Sequence, residues 1–335
     1  MTQPSVKLSA NENCYGCSPL ALEAILNNYK QAHVYPEVFA ASLKDRLAKE
    51  YNVSDKNIVV GAGSVNIIDA LIRTFVKENE EVLTFEKSFV AYAQLAGFHN
   101  RKCVFAPLSD FRCVPNNLLP FVTDKTKLIF IANPNNPTGT IITHDELEGL
   151  LKNIPSTITV VIDEAYSEYV TDKAFPNSLL LQQTYPNLII LHSFSKIHGL
   201  AGLRIGYAIA ELSRAQVLNN TQIPFSLNYL SCASAIAALN DKTFVAQSAK
   251  ANTEQGHYLH TELRKLGLKS IATQANFIYI WFSTDDEKLK IYNLLQENGI
   301  LICDMKVFGQ EKALRITIGD KTTNERIVGV LKGLV

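Results

Sequence analysis

Between residues 57 and 209 the chain repeats one alternation: a short apolar run rich in β-branched residues, then a segment whose apolar side chains recur at helical spacing. Strands are predicted at 57–60, 81–85, 102–106, 127–132, 157–162, 188–192 and 204–209, and helices at 65–76, 89–96, 145–151 and 212–219. Runs apolar on both faces, joined by helical crossovers, make a mostly parallel sheet of seven strands covered on both sides. Two helices, 20–29 and 40–51, precede it. After Pro224 the pattern changes to a long helical region reaching about residue 266, a strand at 276–282, a helix at 286–298, a short strand near Leu301, a strand at 313–318 and a terminal helix from Thr323. That is a smaller α+β unit. A chain of 335 residues exceeds one compact core. The expected division is an arm, 1–32, packing on the smaller unit or on a partner subunit, a large α/β domain, 33–235, and a small domain, 236–335.

Charge and cysteine content narrow the function. Thirty-two basic residues balance thirty-two acidic ones and no basic block interrupts the chain, so nothing calls for nucleic acid or an anionic membrane. The opening Met1-Thr-Gln-Pro lacks a charged region followed by an apolar one, and no apolar run reaches the length of a membrane span, which points to the cytoplasm. Six cysteines in a chain this long do not build a disulfide scaffold. Cys14-Tyr-Gly-Cys17 has no second pair or nearby histidines to complete a metal set, so no metal site is expected.

Four stretches carry chemistry. Val60-Gly61-Ala62-Gly63-Ser64-Val65-Asn66 joins a strand to a helix, and free N–H groups at such a helix start bind a phosphate. With Glu86 closing the next strand, the same stretch imitates a dinucleotide fingerprint, which would make the chain a nicotinamide oxidoreductase; Asn66 in the third glycine's place weakens that reading. Asn133-Pro-Asn-Asn136-Pro-Thr-Gly139 is a stiff turn holding an amide at a strand's end. Asp163 follows an apolar strand, and an ionised carboxylate there needs a compensating cation or donors. Ser193-Phe-Ser195-Lys196, followed by Arg204, sets hydroxyls, an amine and a guanidinium just past another strand. A phosphate seat, a carboxylate for a pyridinium nitrogen and a lysine for an aldehyde are together what pyridoxal 5′-phosphate needs. A dinucleotide leaves the lysine unexplained.

Asn136-Pro-Thr-Gly139, Asp163-Glu-Ala-Tyr166, Ser193-Phe-Ser-Lys196 and Gly202-Leu-Arg204-Ile-Gly206 resemble the signature of fold-type I aminotransferases across nearly the whole chain and in the family's order. Lys7-Leu-Ser-Ala-Asn-Glu-Asn13, Tyr35-Pro36 and Leu314-Arg315-Ile-Thr-Ile-Gly319 resemble the histidinol-phosphate aminotransferase branch. The resemblance implies that Lys196 bonds the cofactor's aldehyde and shuttles the substrate's proton, that Asp163 holds the pyridine nitrogen protonated, and that Asn136 and Tyr166 meet the ring's phenolic oxygen. It gives the phosphate to Gly63, Ser64, Val65, Ser193, Ser195 and Arg204, the ring face to Phe89, and a reach into the neighbouring subunit of a homodimer to Tyr35. Substrate contacts fall to Arg315, Asn276, Asn13 and Tyr15. Histidinol phosphate with 2-oxoglutarate is the implied pair. An aromatic amino acid is the second donor, and a decarboxylase acting on threonine phosphate is the remaining relative of the same fold. The chain departs from the branch at Val65-Asn66, where two acidic residues are usual, at Lys87-Ser88-Phe89, and at Cys14 and Cys17, where prolines are usual.

Overall fold

The computed structural model describes residues 4–333. Its strands, in chain order, are β1 Val6–Leu8, β2 Ile58–Gly61, β3 Glu81–Phe85, β4 Lys102–Ala106, β5 Thr126–Ala132, β6 Thr159–Asp163, β7 Leu188–Ser193, β8 Gly206–Ile209, β9 Lys269–Ser270, β10 Phe277–Trp281, β11 Ile300–Asp304 and β12 Ala313–Thr317. The helices are α1 Pro19–Asn28, α2 Ala41–Tyr51, α3 Ser64–Phe75, α4 Ala91–Phe98, α5 His144–Asn153, α6 Ser178–Thr184, α7 Leu212–Asn220, α8 Tyr229–Ala238, α9 Lys242–Lys265, α10 Asp285–Glu297 and α11 Lys321–Lys332.

Seven strands form one sheet in the order β2-β8-β7-β6-β5-β3-β4. Neighbours from β7 to β4 are parallel, and β8 runs antiparallel to both β7 and β2. Every residue of β6 and β7 is buried, as the apolar runs 160–162 and 188–191 require of central strands. Ile67, Ile68, Leu71 and Ile72 give α3 the apolar stripe that seals one face, each such burial stabilising by roughly 2 kcal/mol. The predicted strand at 204–209 begins at Gly206, because Arg204 adopts a left-handed backbone (φ 55°) that no strand tolerates.

A second sheet, β1-β11-β12-β10-β9, is antiparallel except for β1, which pairs parallel with β11 through Val6, Lys7 and Leu8. The two shortest strands, β1 and β9, and the two-turn α6 were not expected from the sequence. The helical region after Pro224 is broken into α8 and α9, with Asp241 accepting from the Phe244 N–H to start the second. Capping boxes, Thr143 with Glu146 and Thr284 with Glu287, start α5 and α10. Among the described residues no helix is long and apolar enough to cross a membrane, and no cluster of His, Cys, Asp and Glu could hold a metal.

Candidate active site

A cavity of about 310 Å³ opens outside the carboxyl ends of β5, β6 and β7, where the second sheet closes over the first. In open α/β sheets this crevice is where ligands bind. Ser64 and Val65 reach it from the start of α3, Phe89 from beyond β3, Asn136 from the turn after β5, Asp163 and Tyr166 from the end of β6, and Ser193, Ser195, Lys196 and Arg204 from beyond β7. Arg315 comes from β12, and Ala10, Asn11 and Glu12 form a strap across the mouth.

The turn after β5 spends two of its asparagines on itself. The Asn133 side chain accepts from the Ile142 N–H (2.9 Å), and Asn135 donates to Thr138 Oγ1 (2.9 Å) and the Lys87 carbonyl (3.1 Å), which fixes Asn136 facing the cavity. Arg315 Nη1 donates to Asn136 Oδ1 at 2.5 Å, so the amide's own N–H groups are left for a ligand. Arg315 Nη2 donates to the Ser9 carbonyl (2.9 Å), while its buried Nε has no partner.

Asp163 is buried, with two donors on its carboxylate: Tyr92 Oη to Oδ2 at 2.8 Å and the Ala165 N–H to Oδ1 at 3.2 Å. Burial pushes its carboxyl up to about 6, against the opposing pull of the Tyr92 hydrogen bond, the Ala165 N–H and the Lys196 charge. A cation bound in the cavity beside it would reverse that shift. Lys196 Nζ donates to the Ala10 carbonyl (3.2 Å) and lies 5.4 Å from the centre of the Tyr166 ring. Tyr166 Oη in turn accepts from Asn11 Nδ2 (3.0 Å), which leaves the phenol proton free to be donated.

The other end of the cavity is built for an anion. Gly63 precedes α3 with φ 82° and no side chain caps the helix, so its first N–H groups face the cavity. Arg204 donates to Ser195 Oγ (3.4 Å) and the Ala201 carbonyl (2.9 Å), and a Cβ added at Gly63 would overlap its guanidinium. Ser193 Oγ accepts from the Ser195 N–H (3.0 Å). Uncapped amides, hydroxyls and a guanidinium at one end, and a buried carboxylate without a cation at the other, fit pyridoxal 5′-phosphate.

Five residues expected at the site, Asn13, Tyr15, Asn276, Tyr35 and Gly63, lie outside the cavity lining. Asn13 is turned onto the Ile197 carbonyl (2.8 Å) and accepts from the Tyr15 N–H (3.0 Å). Asn276 is spent on the carbonyls of Asn11 (3.0 Å) and Glu12 (3.3 Å), holding the strap. Tyr35 is 82% exposed and packs on Phe225 with ring centres 5.2 Å apart. Gly63 touches the site through Arg204. Conversely, Tyr92, Met305 and Phe308 belong to the site or its wall and carry no sequence signal beyond ordinary core residues, while Asn11, inside a stretch that did carry a signal, was given no role of its own. All six cysteines, Cys14 and Cys17 included, are free thiols, with Cys14 exposed.

Residues 3–331 match the model of the family described as aminotransferase class I and II. The histidinol-phosphate aminotransferase of Anaeromyxobacter sp. is 39% identical over 326 residues, 97% of this chain and 89% of the relative. That of Moorella thermoacetica is 36% identical over 331 residues, 98% of this chain and 85% of the relative. The crystal structure of histidinol-phosphate aminotransferase from Sinorhizobium meliloti in complex with pyridoxal-5′-phosphate superposes with a TM-score of 0.91 at 25% identity, covering 99% of this chain and 92% of that one.

Proposed function

Because the chain belongs to the aminotransferase class I and II family, we propose that it moves the amino group of histidinol phosphate to 2-oxoglutarate, yielding imidazole acetol phosphate and glutamate in histidine biosynthesis. The chain is a pyridoxal-phosphate-dependent aminotransferase of fold type I, not a nicotinamide enzyme. The observation that carries the assignment of the site is the meeting of Lys196, Asp163 and Arg204 in one cavity, drawn from three separate segments of chain.

When bound, pyridoxal 5′-phosphate supplies an aldehyde that condenses with amines and a ring that accepts the electron pair left when a Cα–H bond breaks. Ser64, Val65, Ser193, Ser195 and Arg204 would hold its phosphate, and Phe89 would give the ring an apolar wall. Asp163 presents its carboxylate to the ring nitrogen. Asn136 and Tyr166 each have a free donor for the phenolic oxygen. Lys196 Nζ is the amine that would hold the aldehyde, and as a free amine it would be the base that takes and returns the substrate's Cα proton. Arg315 receives the substrate's anionic group through the guanidinium that Asn136 and Ser9 hold in place. Asn276 acts on substrate indirectly, through the strap whose carbonyls it holds.

The apolar wall of Phe89, Met305 and Phe308, with a single substrate-side guanidinium, also favours aromatic amino acids as donors. Single-turnover spectra against histidinol phosphate, phenylalanine, tyrosine and threonine phosphate decide between them. Fastest conversion of the bound cofactor to its amine form by histidinol phosphate is expected. Faster conversion by an aromatic amino acid, or release of carbon dioxide from threonine phosphate, overturns the substrate assignment.

The working protein is a cytoplasmic homodimer in this reading, with residues 33–235 carrying the cofactor, 236–335 closing over it and 1–32 as an arm. Six free thiols suit a reducing compartment. Tyr35 stands in an exposed surface depression with Val34, Phe225 and Tyr229, and from there would reach the partner's cofactor phosphate. Light scattering should give twice the chain mass, and Tyr35→Phe should weaken cofactor retention. A monomer that turns over at full rate contradicts both.

A further inference from the structure

Tyr92 sits on α4 with no exposed surface, stacked on Phe130 of β5 with ring centres 4.6 Å apart and planes 3° from parallel. It meets the Phe89 ring edge-to-face at 5.5 Å, so the fully buried phenol is held by two rings and its hydroxyl has one direction to point. That direction is Asp163 Oδ2, 2.8 Å away. We infer that Tyr92 is the positioning residue that keeps the Asp163 carboxylate ionised and aimed at the ring-nitrogen position. The inference rests on the reading of Asp163 as the ring nitrogen's partner.

The physical case is one of scarcity. A carboxylate at this depth is tolerated only as far as donors and cations compensate it. The groups that face it are few. Tyr92 comes from α4, the Ala165 N–H follows β6, and Lys196 acts on it from beyond β7. Tyr166 and Cys113 act on the Tyr92 hydroxyl only through charge at a distance, and Glu164 follows Asp163 in the chain on the far side of the sheet, where Ser178 and His192 face it. Lys196 is occupied once it bonds the aldehyde, which leaves Tyr92 and one backbone N–H as the standing donors. Removing the hydroxyl while keeping the ring therefore withdraws a charge-assisted hydrogen bond and leaves the packing on Phe130 intact. The neutral carboxyl gains. A neutral Asp163 cannot compensate a ring cation, so cofactor affinity falls wherever the variant is protonated and the wild type is not.

Tyr92→Phe tests this with two readouts that do not depend on turnover. The cofactor-free protein is titrated by infrared difference spectroscopy, with Asp163→Asn subtracted to isolate one carboxyl, and cofactor affinity is measured by fluorescence from pH 6 to pH 9. The Asp163 band should titrate at higher pH in the variant, and affinity should be weaker by roughly tenfold near pH 7, the scale of a lost hydrogen bond to a charged group, recovering as pH rises. In an Asp163→Asn background Tyr92→Phe should cost no further affinity. An unmoved carboxyl titration overturns the role given to Tyr92. A moved titration with a pH-independent affinity ratio instead overturns Asp163 as the ring nitrogen's partner, and the inference with it. Circular dichroism of the variant separates either result from misfolding.

Discussion

Arg315 is held before any substrate arrives: Asn136 Oδ1 and the Ser9 carbonyl fix two of its nitrogens, and its Nε stays buried without a partner. A guanidinium fixed this way presents a flat, two-pronged donor set that an ammonium cannot copy. Arg315→Lys should therefore keep the charge and still raise the donor's KM by roughly tenfold or more, the scale of one charge-assisted hydrogen bond, while the spectrum of the bound cofactor is unchanged. Steady-state kinetics beside an absorbance scan check it; loss of the cofactor band would move Arg315 into the cofactor's own site. The same logic applied to Arg204 gives the opposite pattern. Arg204→Ala should leave donor recognition alone and loosen the cofactor by a few kcal/mol, read as a rise in its dissociation constant on dialysis. These two arginines were visible in the sequence because each stands in a motif with glycines around it. Tyr92 was not, since a tyrosine on an amphipathic helix is ordinary core until its hydroxyl is seen on Asp163.

At the scale of elements, the anion seat is a contact between two backbones. Gly206 at the start of β8 lies so close to the β2–α3 turn that an added Cβ would strike the backbone of Gly63 and Ser64, whereas one added at Gly63 would strike only the movable end of Arg204. Gly206→Ala must therefore push apart two elements of the sheet. Gly63→Ala also has to adopt a backbone (φ 82°, ψ 162°) that side chains avoid, at a cost of about 1–3 kcal/mol, and it displaces the guanidinium. Both variants should unfold at lower urea, Gly206→Ala the more so. Equal midpoints would mean that β8 shifts freely against the turn. The seven strands of the large sheet were legible because buried parallel strands write themselves as apolar runs. β1 was not: three residues alternating around Lys7 carry too little pattern, and its place is set by pairing with β11 almost three hundred residues away. The strap after β1 acts mainly through the carbonyls of Ser9, Ala10, Asn11 and Glu12, and a carbonyl leaves no trace in a sequence.

Across the whole molecule, the far side of the strand ends from the cavity holds a layer of titratable groups that sets how stability depends on pH. Burial pushes the Glu164 carboxyl up to about 8, although Ser178 donates to it, and pushes the His192 imidazole down to about 4; their closest atoms are 3.6 Å apart. The pair is thus held as a neutral acid beside a neutral base near pH 7. Burial moves Glu168 up to about 7 and His198 down to about 4 in the same way. A carboxyl raised above its unfolded value stabilises the fold while both states are protonated, and that contribution drains away as pH climbs from the unfolded value to the folded one. A histidine lowered below its unfolded value does the reverse, costing stability as pH falls from about 6.5 toward 4. Below pH 6.5 the two effects oppose each other. Above it the histidines are neutral in both states, Asp163 is already ionised, and only the two glutamates still hold protons that the unfolded chain has lost. Stability should fall by roughly 2 kcal/mol through Glu164 alone between pH 6.5 and pH 8, at about 1.4 kcal/mol per pH unit. Urea unfolding at half-unit pH steps measures the slope, and Glu164→Gln should flatten it, because an amide in the same place has no proton to lose. A wild-type profile level from pH 6.5 to pH 8.5 would instead mean that the Glu164–His192 pair holds no proton in the fold, the carboxyl being already ionised beside a neutral imidazole.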